Sequence, residues 1–387
     1  MKKKLLYISV KNPFDNKYSG DRERAKKTLE YLSHHFNIDL ICLGKKKINN
    51  IVPKKINIIF FDKNLLFRIL SAFLCFFKSL PLQIGFFFSQ EIKQYLELNS
   101  YKYDVIIFNT IRTSQYLPEN YSGIKYLDMI DLLSSNYYQT YKSLFILNPL
   151  RYIYFYEYQK TRDYEKKIQK KFHKIFLVSK KDLKLASRFI NRKRLIHIPM
   201  GIETVKNVYS HNLKNNKIIF IGNLKYLPNK LACYEFINKI LPNLIFDNKN
   251  LLFYIIGEIN PLDKIKFEFG KYKKNIRVIG KTDKLELFIK NSFCAVCNTR
   301  VASGFQTKIL TYMSYGIPVI ASSNTLVDKK LINKKNILSF KNNLDFINLI
   351  LKLKVDKELA EKLSKNSIKL VKNYFLWKKI FKKSQIC

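Results

Sequence analysis

The sequence predicts an α/β protein made of two doubly wound parallel-sheet domains, and three observations carry that prediction. Strand-like and helix-like segments take turns along both halves of the chain. At 387 residues with 47% hydrophobic content, the chain holds more apolar surface than one ordinary domain core buries. Between the halves runs a polar stretch, Tyr209 to Lys217, without apolar periodicity, which reads as a linker before a fresh strand. With 11 Gly and 10 Pro against 30 Phe and 25 Tyr, collagen-like, linker-like and disordered chains are excluded.

The first half opens with a strand at about 4 to 10 and a polar loop at 11 to 20 that ends in Gly20. A helix follows, with Ala25, Leu29 and Leu32 at helical spacing, and then the strand Ile38 to Leu43. A right-handed crossover places these two strands parallel in one sheet. Further strands fit Ile56 to Phe61, Val105 to Asn109 and Lys125 to Leu127. Residues 137 to 172 read as long helix, leading to the strand Lys174 to Ser179, a helix at about 180 to 190, and a short strand and turn from Leu195 to Gly201.

The second half restarts the alternation with strand Lys217 to Gly222, helix 229 to 246, strand Leu251 to Gly257 and a helix near 261 to 272. Strand Ile276 to Gly280, helix 283 to 290, strand Phe293 to Asn298, helix 305 to 315 and strand Ile317 to Ser322 continue it. In such a sheet, ligands are expected beyond the carboxyl ends of the strands. Residues 343 to 387 read as helical. No repeat of solenoid length is visible.

The Leu65 to Phe88 stretch is the most hydrophobic, but Arg68, Lys78 and Pro81 interrupt it, so it lacks the run of about 18 apolar residues needed to span a bilayer. Two readings remain. Burial as a helix pair is favoured over an amphipathic surface that dips into a membrane with Arg68 and Lys78 at the headgroups. The N-terminus reads as a first strand and not a signal peptide, because its apolar run ends by Lys11 without a small-residue cleavage site.

The formal charge is +42, yet 60 of the 71 basic residues are Lys and 11 are Arg. Nucleic-acid recognition favours the bidentate fork of Arg, so a nucleic-acid partner is not expected; an anionic membrane surface or a pyrophosphate remains an attractive counterpart. The six cysteines sit in apolar runs and read as reduced core thiols. Cys294 and Cys297 have zinc-like spacing but neither a second pair nor a nearby His, so a buried strand is the better reading and no metal is expected.

The chemistry concentrates in Asn298 to Ser322, a strand, a loop with Gly304, a helix and another strand. A helix N-terminus offers free N–H groups and partial positive charge; Gly304 permits close approach, and Arg300 and Lys308 add full charges. Together they suit a pyrophosphate. The order Arg300, Gly304, Gln306, Lys308, Leu310, Met313, Gly316, Pro318, Val319 resembles the donor-binding motif of group 1 retaining, nucleotide-sugar-dependent glycosyltransferases with the GT-B fold. Phe220 to Asn229, in the form Gly-Asn-x-x-Tyr-x-Pro-Asn, is similar to that family's opening strand and glycine turn. His197 to Glu203 and Asp128 to Ser134 resemble further family segments, so the resemblance runs from residue 4 to about 385.

This resemblance implies two Rossmann-like domains facing a central cleft: an acceptor domain at 1–205 and a donor domain at 206–370, with the last helix, 371–387, returning to the first. It implies sugar transfer with retention to a lipid-linked or growing surface glycan such as capsule, O-antigen or exopolysaccharide, at the cytoplasmic face of a bacterial membrane. The donor would meet Gly222, Asn223, Lys225, Arg300, Gly304, Phe305, Gln306, Lys308 and Thr311, and the acceptor Gly20, Arg24, Arg112 and Asp131. Asp131, Arg300 and Lys308 are the expected catalytic groups, through electrostatic stabilisation of the departing diphosphate and without an obligatory metal or cofactor.

On the residues alone, Asp131 reads equally well as a helix N-cap or turn aspartate before Leu132, and Arg112 nearly as well as half of a structural salt bridge. Ser303 and Thr311 stand where many family members carry a Glu pair, and a hydroxyl does not replace a carboxylate on vicinal ribose hydroxyls. That departure leaves a second reading, a GT-B protein that lost turnover and serves as a binding or scaffold subunit of a glycan-assembly complex.

Overall fold

A computed structural model describes residues 3–15, 19–46, 51–62, 64–282, 284–299, 306–384 and 386. The chain divides into two compact units: Met1–Met200 with Ile380–Cys387, and Gly201–Lys379.

The sheet of unit 1 holds β1 (Lys4–Ser9), β2 (Asn37–Leu43), β3 (Ile56–Phe61), β4 (Val105–Asn109), β5 (Ile124–Ile130), β6 (Lys174–Leu177) and β7 (Leu195–His197). All pairs are parallel, in the order β3-β2-β1-β4-β5-β6-β7. Unit 2 holds β8 (Lys217–Ile221), β9 (Leu252–Ile256), β10 (Ile276–Gly280), β11 (Ser292–Cys297), β12 (Val319–Ser322) and β13 (Leu338–Phe340). Their order is β10-β9-β8-β11-β12-β13, again all parallel. Helices cover both faces, so the central strands are buried on two sides and read as unbroken apolar runs: every residue of β11, Cys294 and Cys297 included, is buried. In each sheet the strand order reverses once, between β1 and β4 and between β8 and β11, which is where an open sheet leaves a crevice at its carboxyl edge.

The core of unit 2 is locked by aromatic stacks: Phe236 on Phe253 and Phe340 on Phe346, each with centroids 4.1 Å apart. In unit 1, Phe108 meets Phe172 edge to face under the sheet, and Phe381 near the C-terminus stacks on Tyr31 at 4.9 Å.

Two expectations are corrected. The Tyr209 to Lys217 run lies inside unit 2, whose boundary falls at Met200 and Gly201. Val208 N–H donates to Tyr315 O, the His211 ring bonds Lys354 O, and Tyr209 packs on the unit 2 core, so a segment without apolar periodicity is fixed by its backbone and side-chain hydrogen bonds. The Leu65 to Phe88 stretch is not a buried helix pair. It folds as helix Leu65–Phe77 and a short helix Leu82–Phe86, and of the long helix only Cys75 is buried. The two helices meet at Gly85, where a Cβ would stand 2.1 Å from Ser71 O. That contact occupies one narrow strip of the long helix and leaves the rest open to solvent. Among the described residues no helix is long and apolar enough to cross a membrane.

Candidate active site

In unit 2 the carboxyl ends of β8 and β11 gather most of the described residues expected at a donor. β8 delivers Gly222, whose N–H donates to Ile256 O on β9. The neighbouring turn carries Gly257 at φ +142°, and a Cβ there would sit 2.0 Å from Gly222 O, so the ends of β8 and β9 approach as only glycine allows. Asn223 shapes the next turn: its Oδ1 accepts Lys225 N–H at 2.9 Å, and its carbonyl accepts Asn229 Nδ2 at 2.9 Å. The exposed Lys225 ammonium pairs with Glu258 at 3.5 Å.

Asn229 then reaches across to the other side of the crevice. Its Oδ1 accepts a 2.6 Å hydrogen bond from Lys308 Nζ, which also lies 4.3 Å from the Phe220 ring centroid. Lys308 is 9% exposed and projects from helix Thr307–Ser314, which begins just beyond β11 and its loop. Burial pushes its pKa down, because the charged form is desolvated. Among the described residues no carboxylate pairs with it. Tyr312, one turn further along, pins this helix to the sheet by accepting Ile221 N–H at 2.7 Å and donating to Val296 O at 3.3 Å. Gly316 at φ +75° ends the helix, with its N–H on Met313 O and Ile317 N–H on Tyr312 O.

Gln306 occupies the N-cap position of that helix without a capping side-chain bond. Thr311 turns its hydroxyl back onto Thr307 O at 3.3 Å. Arg300, Ser303, Gly304 and Phe305 lie outside the described residues. Sequence reasoning did not give Asn229 and Tyr312 a role, although they join the turn to the helix. Asn229 closes the Tyr-x-Pro-Asn signature, a signal that was present; nothing marks Tyr312 among 25 tyrosines.

In unit 1, the carboxyl ends of β4 and β5 carry two β-branched residues in the left-handed region, Thr110 at φ +68° and Ile130 at φ +66°. Such strain costs on the order of 1–3 kcal/mol per residue and concentrates at working sites. Asp131 follows directly. The helix Leu133–Ser143 takes Leu132 as its N-cap, so the N-cap reading of Asp131 is corrected. Burial, then the nearby charge of Asp182, raise the Asp131 carboxyl to about 7. Glu165, also pushed up to about 7 by burial, accepts from the backbone and hydroxyl of Ser134 and so holds the start of that helix.

Arg24 is a second correction. Instead of facing an acceptor it is 1% exposed, pairs with Asp128 at 2.9 Å, and donates to Ile198 O at 2.9 Å, tying helix Gly20–Leu32 to β5 and to the segment after β7. Helical spacing placed it beside Ala25 and Leu29 on the face that turns inward. Gly20 begins that helix, half-buried. Arg112 donates through Nε to Gln83 Oε1 at 2.5 Å, with its guanidinium 5.2 Å from the Phe87 ring. The expected salt bridge is thus replaced by an amide partner and a ring. His197 bonds Val178 O and packs along β7.

Residues 215–356 match the family model described as glycosyl transferases group 1. No curated protein sequence matches the chain. Solved structures do. The chain is similar to sucrose-phosphate synthase of Thermosynechococcus elongatus, with TM-score 0.70, 15% identity, and 98% of this chain and 96% of that one covered. It is similar to HepE of Anabaena in complex with UDP-glucose, with TM-score 0.67, 11% identity and 98% and 97% covered. It is also similar to WaaG, a glycosyltransferase involved in lipopolysaccharide biosynthesis, with TM-score 0.68, 11% identity and 99% of each chain covered. The matched residues span β8 to β13 and with them the Gly222, Asn229 and Lys308 arrangement: residues 215–356 form a domain similar to that of the group 1 glycosyltransferases, an enzyme family, within a GT-B fold.

Proposed function

We propose that the protein transfers a sugar, with retention of anomeric configuration, from a nucleotide-sugar donor to a lipid-linked or growing surface glycan. The observation that carries this reading is the buried ammonium of Lys308, held by Asn229 beside the Gly222–Asn223 turn and unmatched by any described carboxylate. A buried cation without a counter-ion is costly, and a bound diphosphate is the counter-ion that such a position suits. In the proposed role, Lys308 and Arg300, with the backbone around Gly304, stabilise charge that develops on the departing diphosphate. Gly222 and Asn223 give the nucleotide a turn it can approach closely. That HepE was crystallised with UDP-glucose supports a nucleotide sugar as donor; the resemblance to WaaG supports a glycan of the cell surface as acceptor.

The mechanism asks the chain for positioning and electrostatics and assigns no step to a metal. Asp131, at the strained carboxyl end of β5, is the proposed acceptor-side group: a carboxyl with a pKa near 7 accepts a hydrogen bond or a proton from a sugar hydroxyl at neutral pH. Thr311 favours a second reading, a protein that binds without turnover, because its hydroxyl is already bonded within its own helix and offers a ribose little.

The test is a thermal-shift panel of UDP, GDP, CMP and their sugars, followed by donor hydrolysis and transfer assays, on the wild type and Lys308→Met. One nucleotide that stabilises the wild type but not the variant, with turnover on its sugar, is the expected result. Binding without turnover selects the second reading, and no shift with any donor sinks both.

A further inference from the structure

The first unit leaves uncovered an apolar surface that its own core does not need. Helix Leu65–Phe77 exposes Leu66, Phe67, Leu70, Phe73, Leu74 and Phe77, each by more than half. The hairpin of helices Leu133–Ser143 and Pro149–Ile168 exposes its tip in the same way: Phe145, Ile146 and Leu147 are 73%, 60% and 79% exposed. The two elements are joined side by side, because Tyr156 of the hairpin donates its hydroxyl to Phe76 O and Leu80 O, its ring lies 5.2 Å from that of Phe76, and the exposed Leu150, Tyr152 and Ile153 run from there toward the tip. The surface is also fixed in place. Glu157 accepts Leu82 N–H, and the short helix Leu82–Phe86 seats Gly85 against Ser71 and Cys75 of the long one. Contiguous apolar patches of this kind are interaction sites.

The charges around the patch choose its partner. From Asn64 to Gln90 and from Leu132 to Tyr156 the sequence has no Asp or Glu, whereas Arg68, Lys78, Lys142 and Arg151 stand within these segments. Several lie along aromatic rings as amphipathic side chains do at an interface: Arg68 is 5.9 Å from Phe86, Lys142 4.8 Å from Tyr138 and Arg151 4.4 Å from Tyr141. A second copy of this chain would set these cations against themselves, on a molecule of net charge +42. A bilayer with anionic headgroups instead accepts the apolar side chains in its hydrocarbon boundary and the cations at its surface.

We propose that helix Leu65–Phe77 and the Phe145–Leu147 tip form the face by which this protein docks on an anionic lipid bilayer. The inference deepens the membrane side of the proposed acceptor, yet it requires no nucleotide and no turnover, so it stands or falls separately. The experiment is flotation of the full chain with vesicles of pure phosphatidylcholine and with vesicles containing about one third phosphatidylglycerol. The wild type floats with the anionic vesicles and less so in high salt. Phe73→Ser with Leu70→Ser, and independently Phe145→Ser with Leu147→Ser, each lower partitioning by about tenfold or more. Both pairs are solvent-exposed, and unchanged far-UV circular dichroism and melting temperature show that the variants fold. Undiminished flotation of both variants, or failure of the wild type to float, overturns the proposal. A wild-type dimer in solution that either pair converts to monomer also overturns it, in favour of a second copy.

Discussion

Lys308 Nζ lies 2.6 Å from Asn229 Oδ1, and this bond joins the two sides of the β8–β11 crevice without neutralising the charge it holds. A lysine used only for packing would be better replaced by an apolar chain of similar volume, since removing a desolvated charge is often neutral or stabilising. Lys308→Met is therefore expected to keep or raise the melting temperature and to lower turnover by about two orders of magnitude, the scale of losing a group that meets developing charge. Near-native turnover in this variant ends the assignment, and a fall in both quantities makes Lys308 structural.

The Arg24–Asp128 pair carries the opposite expectation. Both partners are buried, and the guanidinium also holds the Ile198 carbonyl, so removing one side strands the other in the interior. Asp128→Asn is expected to destabilise unit 1 by about 3–5 kcal/mol in urea unfolding. Since Arg24 faces inward, a stable Arg24→Met variant with a selectively raised acceptor KM is the outcome that would return it to the acceptor site.

The alternation of strands and helices was legible because buried parallel strands leave continuous apolar runs and their helices leave periodic ones; β11 and helix Thr307–Ser314 read directly. That Gly222, Asn223, Gln306 and Lys308 gather at one sheet edge was legible for a different reason: they sit at fixed spacing in signatures. Tertiary partnership was not. Helical spacing shows that Arg24 shares a face with Leu29, but not that Asp128, 104 positions later, waits beneath it. Composition also misled at Leu65–Phe77, where apolar content suggests burial and cannot tell a core from an uncovered surface. Thr110 and Ile130 gave no signal at all, because nothing in a β-branched residue announces a positive φ.

Gly257 is expected to be irreplaceable beside the Gly222 turn, the proposed donor side. A Cβ there would sit 2.0 Å from the Gly222 carbonyl, and φ +142° is already foreign to side-chain-bearing residues. Gly257→Ala must push apart the β8 and β9 ends, at a cost of about 2 kcal/mol or more in unfolding free energy. The nucleotide-induced thermal shift should shrink with it. An unchanged shift would mean that the turn does not meet the donor.

The last prediction concerns pH, where Asp131 gives a signed expectation. Burial first, and the Asp182 charge second, hold its folded-state pKa at about 7, above its ordinary value near 4. The folded state thus binds a proton that the unfolded chain releases, so the contribution of Asp131 to stability is complete below pH ~4 and lost as pH rises toward 7. Asparagine resembles the protonated form. Asp131→Asn should match the wild type in melting temperature at or below pH ~4 and exceed it increasingly up to pH 8, and comparing the two proteins cancels the titration of groups not coupled to Asp131, such as Glu157 and Lys308. Parallel profiles would show that the carboxyl is not perturbed. If the ionised carboxyl is what meets the acceptor hydroxyl, kcat/KM of the wild type should rise with pH through about 7, and that rise should be absent in the variant.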